Sequence, residues 1–187
     1  MLFRSVLART SSAESQLGKQ FRAHEVGRTY LALVRGRAQD GRIESFLIRD
    51  RGDGRRGSSL TSQDQRAITH VRVLEQFGDF ALVECRLETG RTHQVRIHLG
   101  EAGTPLCGER VYDRPLHGSP LPDKSGAERP MLHAATLALA HPTSGKHMSW
   151  STDLPADMSR LLRRCDKGNE MISGIWRRAA VRRGISC

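Results

Sequence analysis

Residues 87–99, LETGRTHQVRIHL, contain the clearest structural signal in the chain, because the pattern of apolar residues changes within them. The preceding run, residues 80–88, alternates as a β-strand does. Its apolar face consists of Ala81, Val83, Cys85 and Leu87. Gly90 then separates this strand from a short helix that runs to about Ala102. The segment therefore predicts a corner at which a strand turns into a helix.

The predicted helix has its own boundary and burial signals. Thr92 is a residue type that caps helix N-termini, and Gly103 is a residue type that ends helices. Val95 and Leu99 are four residues apart, so both side chains are expected to face the core.

Further strands and helices surround this corner. Residues 67–75 form another strand-like run, and Gly78-Asp79 joins it to residues 80–88 as an antiparallel hairpin. The remaining predicted strands are residues 28–34, which are apolar enough for a strand covered on both faces, 43–48, 131–140 and a last one ending near Trp150. The remaining predicted helices are residues 11–24, capped by Ser11 or Ser12, and residues 154–165. This order predicts an α+β domain with a mixed, mostly antiparallel sheet and flanking helices.

Three segments lack such patterns. Residues 49–65 interleave Arg49, Arg51, Arg55 and Arg56 with glycines, which predicts a flexible basic loop. That loop is either a solvated connection or a set of phosphate contacts, and its sequence leaves both readings open. Residues 116–129 are rich in Pro, Gly and Ser and are also predicted to be a loop. We predict one domain over residues 1–166 and a basic, poorly ordered tail over residues 167–187.

The charge balance of the chain is strongly basic. Its 187 residues include 30 Lys and Arg against 20 Asp and Glu, a formal net charge of +10 and a pI near 10.4. The planar guanidinium of arginine matches phosphate oxygens well. One reading is a polyanionic partner, nucleic acid ahead of an acidic membrane surface, and the other is a basic enzyme without such a partner. Charge alone does not choose between them.

Several other classes of protein are disfavoured. The four cysteines are far apart and include no Cys-x-x-Cys pair, which argues against a zinc site and against a disulfide scaffold. His93 and His98 are five residues apart and lie on different helix faces, so we expect no metal. The longest apolar run, residues 31–34, is too short to cross a bilayer, and residues 1–9 lack the pattern of a signal peptide. We therefore expect a cytoplasmic protein that does not enter a membrane.

Four segments together resemble the RluA-like family of RNA pseudouridine synthases. They are residues 28–36, RTYLALVRG, the stretch 87–99, residues 103–109 with Tyr112, and residues 132–134 followed by 141–145. They occur in the family's order, and the resemblance covers roughly residues 17–162. It implies the catalytic-domain fold of that family and the isomerisation of uridine to pseudouridine in ribosomal or transfer RNA, with no cofactor and no metal.

The resemblance also implies roles for individual residues. Arg91 is expected to pair with the catalytic aspartate and orient it, whereas without the resemblance the favoured reading is that it pairs with a surface carboxylate. Tyr30 is expected to stack on a uracil flipped out of the RNA, although a tyrosine that opens a buried strand is more often a core residue. Leu132 is expected to pack beside that base. Arg96 and the four arginines of residues 49–56 are predicted RNA contacts. We interpret His93, Gln94 and His133 as scaffold.

The nucleophile of the family is an aspartate in a His-Arg-Leu-Asp-like stretch, followed shortly by Thr-Ser-Gly and an apolar strand. Residues 1–9 resemble that strand, and Asp40, Asp50 and Asp53 lie in other contexts. We therefore expect a fold that lacks its first strands, truncated at the N-terminus, and a monomeric chain that is inactive alone. The alternative is a catalytically dead RNA-binding module.

Overall fold

The computed structural model describes residues 5–59 and 65–166, and its seven described strands form one sheet. The strands are β1 (Gly27–Arg35), β2 (Gly41–Ile48), β3 (Gly57–Ser59), β4 (Gln65–Phe77), β5 (Phe80–Leu87), β6 (Leu132–Ala140) and β7 (His147–Ser151). Their order across the sheet is β3-β2-β4-β5-β1-β6-β7, and each described neighbouring pair is antiparallel. The helices are α1 (Ser11–Arg22), α2 (Gln94–Glu101) and α3 (Ala156–Asp166). The predicted α+β class with a mostly antiparallel sheet is confirmed.

Helices α2 and α3 cover opposite faces of the sheet. Val95 and Leu99 of α2 join one apolar cluster with alternate residues of β1 and β5. Met158 and Leu161 of α3 join a second cluster with Leu33 of β1. Successive residues of β1 therefore enter different clusters, which is why this strand is apolar at consecutive positions.

Strand β1 lies between β5 and β6 and brings distant parts of the chain together. Tyr30 stands opposite Cys85 on β5 and opposite Ala134 on β6. The register against β6 shifts between Thr29 and Tyr30, because Ala135 is an extra residue on β6, whereas the pairing of β1 with β5 stays regular there. Cys85 is fully buried, as predicted for a small apolar residue, and burial raises the pKa of its thiol to about 12.

Two predicted helix caps are wrong. Thr10 rather than a serine caps α1, since its Oγ1 accepts a hydrogen bond from the Ala13 amide at 3.2 Å. Helix α2 begins after His93, which adopts a left-handed conformation with φ of 60° and makes no side-chain cap bond. Thr92 therefore does not cap α2. The Gln94 side chain instead bonds the amide of residue 91 and closes this turn.

The predicted loop of residues 49–65 contains the short edge strand β3, so its prediction as loop throughout is wrong. Ser58 connects β3 to α2, because its amide and its hydroxyl donate hydrogen bonds to the Glu101 carboxylate at 2.9 and 2.5 Å. Residues 116–129 contain no described strand or helix. The predicted tail, residues 167–187, lies outside the described residues. Within the described ranges, no helix combines the length and apolar character needed to span a membrane.

Candidate active site

The corner between β5 and α2 is held by the buried side chain of Gln94, which uses both of its polar atoms. Its Oε1 accepts hydrogen bonds from the Thr89 hydroxyl at 2.8 Å and from the Arg91 amide at 3.0 Å. Its Nε2 donates to the Ile68 carbonyl at 2.9 Å and to the Thr69 hydroxyl at 3.0 Å. These bonds connect the corner to β4 and fix the position of residue 91 above the sheet.

A cavity of about 500 Å³ opens beside this corner. Four of the predicted site residues line it, namely Arg91, Tyr30, Leu132 and Arg96, and they come from β1, the β5–α2 corner, α2 and β6. Aromatic and aliphatic side chains make up much of the remaining wall. A largely apolar cavity with a few cations suits a flat ring that is attached to an anionic group.

Arg91 is half-buried at the edge of this cavity. Its Nε donates to the carbonyl of Arg66 at 3.2 Å. Within the described residues, no carboxylate forms an ion pair with it. The alternative reading, that Arg91 pairs with a surface carboxylate, therefore finds no partner in the described part of the chain.

A third arginine, Arg28, also lines the cavity. It lies two residues before Tyr30 on β1, and residues at this spacing face the same side of a sheet. Its guanidinium is 6.0 Å from the ring centre of Phe21 and fills the space beside Gly90. Tyr30 is a predicted site residue and Arg28 is not, although their spacing on one strand is a signal in the sequence that could have identified both.

The space beside Gly90 is filled by the guanidinium of Arg28. A Cβ at this position would lie 2.0 Å from Nη1 of Arg28, and the φ of Gly90 is not in the left-handed region. In the structure, the group close to its backbone is the Arg28 guanidinium.

Arg96 has a carboxylate partner inside the protein. Its Nε and Nη2 donate to Glu109 at 2.6 and 2.8 Å, and its guanidinium lies 5.1 Å from the ring centre of Tyr112. Burial raises the pKa of the Glu109 carboxyl, but Arg96 and the backbone amides that bond it lower that pKa by more. The Tyr112 hydroxyl in turn bonds Nδ1 of His93 at 2.9 Å. The RNA contact predicted for Arg96 stays a prediction.

The four arginines of residues 49–56 lie outside the cavity wall as the described residues define it. Arg51 pairs with Asp53 at 3.0 Å, and Arg49 and Arg55 are exposed. Burial lowers the pKa of His93, and the charges of Arg96 and Arg56 lower it further. Because the charge of Arg56 acts on His93, the residue before α2, the basic loop lies near the N-terminus of that helix. Its predicted RNA contacts also stay predictions.

The sequence that forms this site matches a known protein family. The profile of the family described as RNA pseudouridylate synthase matches residues 5–101, which run from the first described residue to the end of α2. The chain belongs to the RNA pseudouridylate synthase family. The predicted resemblance to RluA-like synthases is confirmed.

Relatives of this pseudouridylate synthase domain cover most of the chain. The ribosomal large subunit pseudouridine synthase D of Nitrosomonas europaea is 40% identical over 163 residues, which are 84% of this chain and 46% of that protein. An uncharacterised RNA pseudouridine synthase of Bacillus subtilis is 38% identical over 160 residues, 84% of this chain and 50% of that protein. The chain spans about half the length of the curated relatives it matches.

Solved structures share the fold. Human RNA pseudouridylate synthase domain containing 4 superposes with a TM-score of 0.67 at 21% identity, covering 83% of this chain and 68% of that chain. Human RNA pseudouridylate synthase domain containing 1 superposes with a TM-score of 0.60 at 25% identity, covering 84% of this chain and 72% of that chain. The sheet and its helices are therefore those of a pseudouridylate synthase domain.

In this synthase domain, the cavity extends beyond the segment that the family profile matches. The profile ends at Glu101, whereas Leu132 and Ala134 contribute to the wall from β6. Pairing of β6 with β1 brings these residues next to Tyr30. The complete cavity therefore depends on the later part of the chain as well.

Proposed function

We propose that the chain binds a uridine of RNA in the cavity beside the β5–α2 corner, as part of a synthase that isomerises uridine to pseudouridine. The observation that carries this proposal is that Arg91, Tyr30 and Leu132, which come from segments far apart in the chain, line one cavity. Large-subunit ribosomal RNA is the substrate we favour, because the Nitrosomonas relative is named for it, and transfer RNA is the second candidate.

The cavity suits a base that has left its stack. A flipped uracil loses the stacking energy of its neighbours, and contact with an aromatic ring and aliphatic side chains compensates for part of that loss. Tyr30 supplies the ring, while Leu132 and Leu87 supply aliphatic surface. The positive charge of the chain would attract the RNA backbone.

The proposed reaction needs a carboxylate but no cofactor. The carboxylate attacks or deprotonates the sugar, the bond between C1′ and N1 breaks, and the uracil turns. C5 then bonds to C1′, C5 loses its proton and N1 gains one, so the product is an isomer of the substrate. In this scheme Arg91 holds the carboxylate and lowers its pKa, which keeps it ionised in a partly dry cavity.

We further propose that the 187-residue chain binds RNA but does not catalyse this reaction by itself. Among the described residues that line the cavity, none carries a carboxylate. No aspartate of the chain stands in the sequence context of the family's nucleophile. The same facts support the second candidate, a catalytically dead RNA-binding module. In both cases we propose a monomer that works in the cytoplasm.

The first test measures binding and turnover with the purified 187-residue chain. We expect a uridine-containing transcript to bind, and we expect no pseudouridine when the transcript is digested and its nucleosides are analysed. Pseudouridine formed by this chain would disprove its proposed inactivity. Failure to bind any RNA would disprove the proposed function.

The second test uses a longer protein that carries the family's aspartate segment together with this chain. There, Arg91→Ala should lower kcat by about 100-fold or more while RNA binding stays close to wild type, because a positioned charge acts mainly on the reacting groups. Arg163→Ala is the control, since Arg163 is an exposed arginine on α3, the helix on the opposite face of the sheet. Unchanged turnover in Arg91→Ala would remove Arg91 from the mechanism. A longer protein that is inactive with all of its residues intact would favour the binding module.

A further inference from the structure

Arg28 is a cation in the cavity wall, and no ion-pair partner is found for it among residues 5–59 and 65–166. Its Nε and Nη2 are buried and make no hydrogen bond within the described part of the chain. Burial also lowers the pKa of its guanidinium, while the nearby Tyr30 raises it. A buried charge without a partner is costly, and such a group in a folded protein requires an explanation.

The surroundings of Arg28 hold its guanidinium in place. Phe21 of α1 lies on one side at 6.0 Å, and the backbone of Gly90 lies on another. Both residues belong to or adjoin the cavity that contains Tyr30 and Arg91. The cation is therefore positioned by its neighbours, although none of them neutralises it.

The position of Arg28 relative to Tyr30 indicates which anion it meets. Two residues along a strand correspond to about 7 Å, and both side chains face the same side of β1. A nucleotide whose base contacts Tyr30 carries a phosphate on each side of its ribose, at a distance of that order from the base. Arginine is well suited to phosphate because its planar fork can donate two parallel hydrogen bonds.

We infer that Arg28 binds a phosphate group next to the uridine in the cavity, which leaves Arg91 for the catalytic carboxylate. This inference rests on the proposed uridine-binding function. It also assigns a reason to Gly90, since any larger residue there would displace the guanidinium. The competing hypothesis is that Arg28 pairs with a carboxylate instead of a phosphate.

The test compares phosphates in an RNA oligonucleotide that contains a single uridine, using the 187-residue chain. In two modified oligonucleotides, one of the linkages that flank the uridine is replaced by a neutral methylphosphonate. We expect one replacement to raise the Kd of the wild-type chain by about tenfold, the usual size of a lost charge-assisted hydrogen bond. Arg28→Met should bind the unmodified RNA about tenfold more weakly and show no further loss with that replacement.

Two variants separate this role from a loss of charge or a loss of fold. Arg163→Met removes an exposed arginine from α3 and should keep the full sensitivity to the methylphosphonate. Gly90→Ala keeps every charge but moves the Arg28 guanidinium, so it should weaken binding and reduce that sensitivity. Thermal unfolding of Arg28→Met should give a Tm equal to or above that of the wild type, because an uncompensated buried charge has been removed.

Each remaining outcome has a definite meaning. If Arg28→Met keeps the full sensitivity to both linkages, the phosphate assignment is wrong and a carboxylate becomes the partner to test. A lower Tm for Arg28→Met would make Arg28 a structural residue and overturn the inference. If the wild-type chain binds no RNA, the proposed function itself fails, which is distinguishable from the first two results.

Discussion

Three arginines line the cavity, and we assign them different roles because their bonding partners differ. Arg96 is paired with a buried carboxylate, Arg91 is bonded to a backbone carbonyl, and Arg28 has buried nitrogens without a described partner. A paired guanidinium mainly stabilises the protein, whereas one whose charge is not neutralised can bind an anion from outside. We therefore assign ligand contacts to Arg91 and Arg28 first.

Gln94 allows a direct test of how the corner is held. Gln94→Leu keeps the approximate volume but leaves the Thr89 hydroxyl and the Arg91 amide without the oxygen that accepts their hydrogen bonds. We expect the free energy of unfolding in urea to fall by about 2–3 kcal/mol, because buried polar groups lose their hydrogen bonds. Gln16→Leu, at an exposed position on α1, is the matched control and should change stability little. Equal stabilities for the two variants would mean that the corner does not depend on Gln94.

Helix α2 packs closely against the segment that follows it. An added Cβ at Gly100 would lie 2.3 Å from the carbonyl oxygen of Tyr112. The Glu109 carboxylate accepts backbone hydrogen bonds from the residues that follow it in the chain, including Val111 at 2.9 Å. The helix and the chain leading to Tyr112 thus pack closely against each other, and this contact leaves little room for a larger side chain at residue 100.

This close contact reverses an ordinary expectation for a helix. Replacing glycine by alanine inside a helix usually stabilises it by about 1 kcal/mol. Gly100→Ala should instead destabilise the protein by about 1–3 kcal/mol, since backbone atoms would have to move. Chemical denaturation measures the effect. Gly41→Ala is the control, because no atom lies within 4 Å of the added Cβ and its φ is ordinary. A stabilised Gly100→Ala variant would contradict the observed packing.

At the scale of the whole molecule, a buried histidine connects α2 to the sheet. His98 has Nε2 at 3.0 Å from the Ser45 hydroxyl on β2 and Nδ1 at 2.9 Å from the Thr69 hydroxyl on β4. Burial lowers its pKa from 6.5 to about 4. The folded protein therefore keeps this ring neutral over a pH range in which the unfolded chain protonates it.

The stability of the molecule should consequently depend on pH in a predictable direction. The unfolded chain binds more protons than the folded protein between pH 6.5 and 4, so the contribution of His98 is complete above pH 6.5 and decreases as the pH falls toward 4. The largest expected loss is about 3 kcal/mol. Urea unfolding measured from pH 7 to pH 4.5 should show this slope. In His98→Gln most of it should disappear, with a remainder from His93, whose pKa is also lowered. An unchanged slope in His98→Gln would mean that groups other than His98 cause the pH dependence of stability.

The sequence by itself determined the strands, the helices and the corner at Gly90, because strand and helix periods are local properties of the chain. The alternation of residues 80–88 and the helical spacing of Val95 and Leu99 both survive in the structure. The family resemblance selected Arg91, Tyr30 and Leu132 from segments far apart in the chain. Helix caps and the strand β3 were predicted poorly, since they depend on single hydrogen bonds to distant residues such as Glu101.

Only the tertiary structure decided which side chains share the cavity and which charges are neutralised there. Arg28 meets Gly90 because β1 pairs with β5, and Arg96 meets Glu109 because the chain folds back along α2. The solvation and pairing of a charge depend on all of its neighbours in space. A pattern along the chain indicates which face a residue occupies, but the partner on that face is set by strand register and helix packing.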